Sequence, residues 1–324
     1  MINMVTKRNP NAIIIILYRI RKSRKLICGG DIMYDAVIIG KGPAGITASI
    51  YVRRANLNVL VIGKDDGYLV KADRIDNYFG FSEGISGKEL MSEGYKQGVR
   101  LGVEFVADQV LSIEKEDMYK VTCINGVYYS KAIILSTGTE KKPPNIEGIA
   151  KYEGLGVSYC VTCDGFFYRD KKVCILGNGD YAYHEAEEMT NFTKDITILT
   201  NGKELTISEK NKEGIDRFNI LSTPIVKIEG TDVINSILFK DGTRISTNGL
   251  FLAGEQASST DFARNLGVMT DSSGIITDKN QKTNVDGMYA AGDCTGLFKQ
   301  VSVAVGQGAL AARSLIEFVR GAVK

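Results

Sequence analysis

One histidine, five prolines and no tryptophan stand among 324 residues. The lone imidazole, His184, gives no basis for a histidine-rich zinc site and makes a cysteine–histidine nucleophile pair a poor expectation. The missing tryptophan has no functional reading. Few prolines beside 35 glycines describe a chain rich in tight turns and poor in rigid breaks, which suits loops lying close to phosphates. Charge of one sign is missing too. Forty Lys and Arg against 38 Asp and Glu leave a net charge of +2, so nothing argues for nucleic acid or an anionic membrane surface. Long apolar runs are also lacking. Ala12 to Tyr18 is far shorter than the about 20 residues needed to span a bilayer. The basic residues Arg19, Arg21, Lys22, Arg24 and Lys25 follow that run rather than precede it, which does not fit a secretory signal.

Cysteine is sparse. Of the six, at 28, 123, 160, 163, 174 and 294, only one pair is closely spaced. That is not a secreted disulfide scaffold, and it predicts a reducing cytoplasm, where a disulfide is usually catalytic. No metal site is expected, because four zinc ligands would need distant cysteines to join 160 and 163. Cys123 and Cys174 lie in strand-like apolar runs and are expected in the core. His184 is expected at the surface or at a cap.

Residues 1–32 are expected to be a non-native or disordered extension. Gly29-Gly30-Asp31-Ile32-Met33 has the form of a translated ribosome-binding site followed by a start, with Met33 opening the working protein. A basic tail weakly drawn to membranes is the alternative.

Tyr34 to Ile39 is a short apolar run that reads as a buried parallel strand. Gly40-x-Gly42-x-x-Gly45 follows at once, then a helical stretch from Ile46 to Ala55 and a second strand, Asn58 to Ile62. This strand–turn–helix–strand order is the context a dinucleotide fingerprint requires, with backbone N–H groups approaching a pyrophosphate at the helix start. The acid that should end the second strand is replaced by Gly63, so ribose contacts must come from Lys64, Asp65, Asp66 or backbone. Ala132 to Leu135 is another buried strand, ending at Ser136-Thr137-Gly138, and Pro143-Pro144 then marks a crossover. A second unit runs from the strand Lys172 to Leu176 through Gly177-x-Gly179-x-x-Ala182, a helix to about Phe192 and a strand Ile196 to Thr200. Strand character returns at Gly249 to Gly254 and Gly287 to Asp293, and a helix is expected from about Ser302 to Arg320.

Just ahead of the second turn stands Cys160-Val161-Thr162-Cys163. Disulfide exchange needs one thiolate to attack and another to resolve, and two intervening residues let the sulfurs close a small ring. Asp164 is the acid in sequence reach to supply or remove a proton.

Together these motifs resemble the low-molecular-weight thioredoxin reductase family. The resemblance rests on Gly-x-Gly-Pro-Ala-Gly at 40–45, Ser-Thr-Gly at 136–138, Cys-Val-Thr-Cys-Asp-Gly-Phe-Phe-Tyr at 160–168, Tyr-Ala-Ala-Gly-Asp-Cys-Thr at 289–295, Gln300-Val301 and Gly306-Gln307-Gly308-Ala309. It implies an α/β fold of two Rossmann-like, three-layer nucleotide-binding domains, the second inserted into the first. The FAD-binding domain then comprises 33–141 and 269–324, and an NAD(P)-binding-like domain carrying the dithiol comprises 142–268. Implied FAD contacts are Gly40, Gly42, Pro43, Ala44, Gly45, Asn77, Thr137, Gly138, Gly292, Asp293, Gln300 and Val301. Implied roles are Cys160 as the thiol attacking a disulfide in thioredoxin or a thioredoxin-like protein, and Cys163 as the thiol facing the flavin. Such proteins are usually homodimers, and their two domains rotate between flavin-reducing and partner-reducing arrangements.

The second nucleotide site departs from the family pattern. NAD(P)H contacts would fall to Gly177, Gly179, Asp180, Ala182 and Lys203. Yet Thr200-Asn201-Gly202-Lys203-Glu204 offers no arginine to grip a 2′-phosphate and no strand-end acid to select NADH. Tyr181 is bulky, Gly254 to Ser258 replaces an expected Gly-x-x-Pro turn, and Asp66-Gly67-Tyr68-Leu69 replaces a Gly-Gly-Gln segment. The electron donor therefore stays open between NAD(P)H and ferredoxin or another carrier, the latter resembling ferredoxin-dependent members. Two other functional readings stay open as well: a dithiol oxidase passing electrons to oxygen, and a non-enzymatic flavin redox sensor.

Overall fold

The computed structural model describes residues 26–28, 31–138, 144–254, 259–271, 273–296 and 298–321. The expectations for residues 1–25, for Gly29-Gly30 and for Glu255 to Ser258, and the boundary at 141/142, lie outside them. Leu26–Cys28 is a strand paired antiparallel with the start of strand Asp31–Ile39.

The first sheet has the order Glu104–Val106, Val59–Ile62, Asp31–Ile39, Val127–Leu135, Tyr119–Cys123 and Val110–Lys115. Its centre is parallel and consists of β-branched and aliphatic side chains with no exposure, such as Val37, Ile38, Leu60, Ile133 and Ile134. Met288–Ala290 returns from far along the chain to pair parallel with Val127–Leu135. The second sheet, Asn219–Leu221, Ile196–Leu199, Val173–Leu176, Gly249–Leu252 and Val157–Ser158, is wholly parallel and lies in sequence between those two parts of the first. One nucleotide-binding unit is thus inserted in the other. A three-stranded antiparallel sheet, Ile225–Gly230, Ile234–Phe239 and Arg244–Ser246, completes the insert.

Helix Pro43–Arg54 starts three residues before its expected beginning, because a proline in the first turn has φ preset and needs no hydrogen bond for its nitrogen. Helix Val301–Val319 falls within a residue of expectation at each end. Helix Gly87–Leu101 escaped the periodicity reading, though its ends are marked. The Ser86 hydroxyl accepts from the Glu89 amide, a cap that contributes about 1 kcal/mol, and Gly102 ends it at φ +86°. Helix Ser259–Asn265 packs on Val110–Lys115, Thr270–Asp271 and Gly274–Ile275 of the first unit and also on helix Val161–Asp164 of the insert. Among the described residues no helix is long and apolar enough to cross a membrane.

Candidate active site

Strands Asp31–Ile39 and Val127–Leu135 run parallel in register, Ile39 beside Leu135, so the glycine turn after one meets the Ser136-Thr137-Gly138 segment after the other. Gly40 has φ +106°, and a Cβ there would lie 2.2 Å from the Ser136 carbonyl oxygen. A cavity of about 580 Å³ opens at these strand ends, the place where doubly wound sheets bind ligands. Gly40, Gly42, Pro43 and Ala44 line it from the first turn, and Thr137 and Gly138 from the crossover. Gly292 and Asp293 line it from the C-terminal segment, as do Gln300 and Val301 at the start of the last helix. Two helix starts, at Gly42 and Gln300, reach the cavity with no side chain capping them. Uncapped N–H groups of this kind suit the anionic diphosphate and the electron-rich ring edge of FAD.

Two expected contacts stand elsewhere. Gly45 lies off the cavity, where a Cβ would meet the Gly40 carbonyl oxygen at 2.0 Å; it is needed for helix-to-turn packing. Asn77 reaches the site through Gln300, its amide donating to Gln300 Oε1 at 2.8 Å. Where Gly63 vacates the acid position, the stem of Lys41 packs over it, and Lys41 Nζ pairs with Asp66 at 2.9 Å. Both line the cavity.

The dithiol follows strand Val157–Ser158. Cys160 is the N-cap of helix Val161–Asp164, and its sulfur accepts from the Cys163 amide at 2.9 Å. The two cysteines form a disulfide with Cα atoms 5.3 Å apart. Cys160 is buried and Cys163 exposed. Ser158 accepts from the Cys160 amide and donates to Asp164 Oδ2 at 2.6 Å, which fixes the acid beside the sulfurs.

The dithiol sits against helix Ser259–Asn265. Cys163 Sγ lies 3.7 Å from Asn265 Oδ1, and the Arg264 guanidinium lies over the Tyr159 ring at 5.2 Å. One turn back on the same helix, Phe262 walls the cavity, and Ser259 exchanges hydrogen bonds with Thr137, Oγ to Oγ1 at 2.7 Å. Sequence reasoning missed Phe262 and Asn265, because only the folded crossover brings them to the motifs. It also missed Glu185, a buried carboxyl that accepts from the Val161 amide at 3.2 Å. Burial, followed by the nearby Asp261 carboxylate, pushes Glu185 up to about 7.

Cys123, Cys174 and Cys294 are buried free thiols. Burial pushes the thiols of Cys123 and Cys294 up to about 12 and that of Cys174 up to about 11. His184 lies in mid-helix and half-buried, not at a cap; burial lowers its pKa, against the raising influence of Glu188 and Glu114.

At the second turn the chain uses its own polar groups. The Asp180 carboxylate accepts from the Ser208 amide and hydroxyl and from Asn211, at 3.1, 2.8 and 2.7 Å. The Asn178 carbonyl accepts from the Thr206 amide at 2.7 Å, and its side chain donates to the Glu204 carbonyl. Gly177 is a packing glycine, since a Cβ there would lie 1.9 Å from the Ala253 carbonyl oxygen. Gly179 caps the following helix, Ala182 is buried, and Tyr181 is buried toward Glu185 instead of facing the turn. Beyond the strand end, Thr200 donates to the Lys203 carbonyl, and Asn201, at φ +53°, accepts from the Ile225 amide. Lys203 itself is exposed.

The model of the pyridine nucleotide-disulphide oxidoreductase family matches residues 34–308. The chain belongs to that family. As a pyridine nucleotide-disulphide oxidoreductase it is an FAD-dependent enzyme of the thioredoxin-reductase type. A thioredoxin reductase of Treponema pallidum (strain Nichols) is 33% identical over 300 residues, 88% of this chain and 97% of that protein. The atypical thioredoxin reductase TRi from Desulfovibrio vulgaris Hildenborough is 40% identical with a TM-score of 0.86, over 90% of this chain and 99% of that one. A ferredoxin-flavin thioredoxin reductase from Clostridium acetobutylicum is 29% identical with a TM-score of 0.67, over 89% and 99%.

Proposed function

We propose that this oxidoreductase passes two electrons from FAD in the first unit's cavity, through Cys163 and Cys160, to a disulfide of thioredoxin or a thioredoxin-like protein. A protein carrier of the ferredoxin type, and not NAD(P)H, supplies the flavin. The reading rests on one observation: Cys163 is seated on the helix whose Phe262 walls the cavity. When bound, reduced FAD supplies the electron pair that cleaves the Cys160–Cys163 bond. Cys160, released as thiolate, attacks the partner's disulfide, and Cys163 then resolves the mixed disulfide and restores the starting bond. Asp164, held by Ser158, carries the proton beside them. Phe166 and Phe167, both exposed three and four residues past Cys163, offer the partner an apolar landing. Because Cys160 is buried while Cys163 faces helix Ser259–Asn265, the inserted unit rotates to present it. We place the enzyme in the reducing cytoplasm as a homodimer.

The direct test is anaerobic. Flavin-loaded protein given one two-electron equivalent of reductant per flavin converts oxidised thioredoxin to its dithiol at one per flavin. A protein that keeps its reduced flavin while thioredoxin stays oxidised refutes the proposal.

At the ribose end, Asp66 held by Lys41 takes the part of the missing strand-end acid. Asp66→Ala raises the FAD dissociation constant of the apoprotein about tenfold, the loss of one charge-assisted hydrogen bond at a solvated site. Flavin-fluorescence titration reads it, and an unchanged constant removes Asp66 from the role.

A further inference from the structure

The Glu185 carboxyl meets the backbone of the dithiol turn. It belongs to helix Asp180–Met189, is 4% exposed, and takes the Val161 amide, the first N–H of the dithiol helix. The nitrogen it holds is bonded directly to the Cys160 carbonyl carbon. Cys160 Sγ takes the Cys163 amide of the same turn. A carboxylate and a thiolate therefore draw on one helix N-terminus, whose partial positive charge stabilises a single nearby anion best.

We propose that Glu185 is a positioning residue for disulfide exchange, whose proton state sets how readily Cys160 becomes a thiolate. The proposal rests on Cys160 being the attacking thiol, but its test reads the thiol itself and not turnover, so the two can fail separately.

The surroundings favour a proton on Glu185 while the dithiol is seated. Burial is the largest cause that pushes it up to about 7, and Asp261 of helix Ser259–Asn265 adds to the rise. Glu188 on its own helix acts the same way, while the Tyr181 hydroxyl and the Val161 amide hydrogen-bond to the charged form and oppose it. The dithiol helix brings Cys160, Cys163 and Asp164. Helix Ser259–Asn265 also carries Arg264, beside Asp261. His184 on Glu185's own helix looks toward Glu188 and Glu114, and the strands beneath contribute Cys174, engaged with Thr247. The sign follows. With Glu185 ionised, a second negative charge at the turn is penalised and Cys160 keeps its proton to higher pH. With Glu185 neutral, the helix start is left to the sulfur and the thiolate forms at lower pH.

The experiment uses flavin-loaded, full-length Cys163→Ser protein, in which Cys160 is a lone thiol. Ultraviolet thiolate absorbance is followed across a pH titration, and mass spectrometry identifies the thiol by alkylation. Adding Glu185→Gln, which keeps an acceptor for the Val161 amide, moves Cys160 thiolate formation down by about one pH unit or more. Tyr181→Phe removes a hydrogen bond to the charged carboxylate, keeps Glu185 neutral to higher pH, and gives a smaller shift in the same direction. It decides the matter if Glu185→Gln fails to bind flavin. A Gln curve that superimposes on the parent, or moves upward, overturns the proposal.

Discussion

Cys160→Ser lowers thioredoxin reduction by about a thousandfold or more while the protein stays yellow with bound FAD. The size follows from removing a covalent nucleophile, for which the remaining site cannot compensate. The choice of Cys160 over Cys163 follows from the turn. Cys160 is the N-cap, and the Cys163 amide points at its sulfur, so a thiolate there is stabilised both by that hydrogen bond and by the helix start. Cys163 lies on the other side, against Asn265 and one helical turn from the cavity wall. The companion Cys163→Ser variant keeps the attacking thiol and loses the resolving one. It accumulates a mixed disulfide with thioredoxin, visible as the summed mass. Full turnover by Cys160→Ser, or a mixed disulfide trapped on Cys163 instead, would reverse the order of the two sulfurs.

NADPH and NADH each reduce the bound flavin at less than about 1% of the rate reached with reduced ferredoxin. Gripping a 2′-phosphate takes charge-assisted, bidentate hydrogen bonds, each worth roughly 1.5–3 kcal/mol, and losing even one or two weakens binding by about a hundredfold or more. The strand end that should supply them closes on itself through Thr200, Asn201 and Ile225. At the turn, Asp180 already accepts three hydrogen bonds from Ser208 and Asn211. An anaerobic titration followed by the flavin's own absorbance distinguishes the donors. Bleaching by stoichiometric NADPH or NADH, with none by ferredoxin, assigns the electrons to the nicotinamide.

Local signals were legible where a short stretch contains its own reason. Tyr34 to Gly45 specifies strand, turn and helix by composition alone, and the structure places most of its glycines at one cavity. Cys160 and Cys163 announce their bond by spacing, and the structure pairs them. What stayed hidden depends on distant chain segments. Gly45 and Gly177 carry the motif's letters but serve close packing, which only the opposing carbonyls of Gly40 and Ala253 reveal. Phe262 and Asn265 carry no motif, and a short helix near a crossover gives no periodicity to say which unit it joins. The antiparallel strand Val110–Lys115 alternates weakly and is broken by a bulge at its start, although its neighbour Tyr119–Cys123 alternates cleanly. Glu185 reads as one of several acids on a surface helix until the fold buries it.

Helix Ser259–Asn265 touches both ends of the proposed electron path, the cavity through Phe262 and Cys163 through Asn265. If the dithiol leaves that berth to meet its partner, as proposed, loading and unloading alternate like traffic through a turnstile.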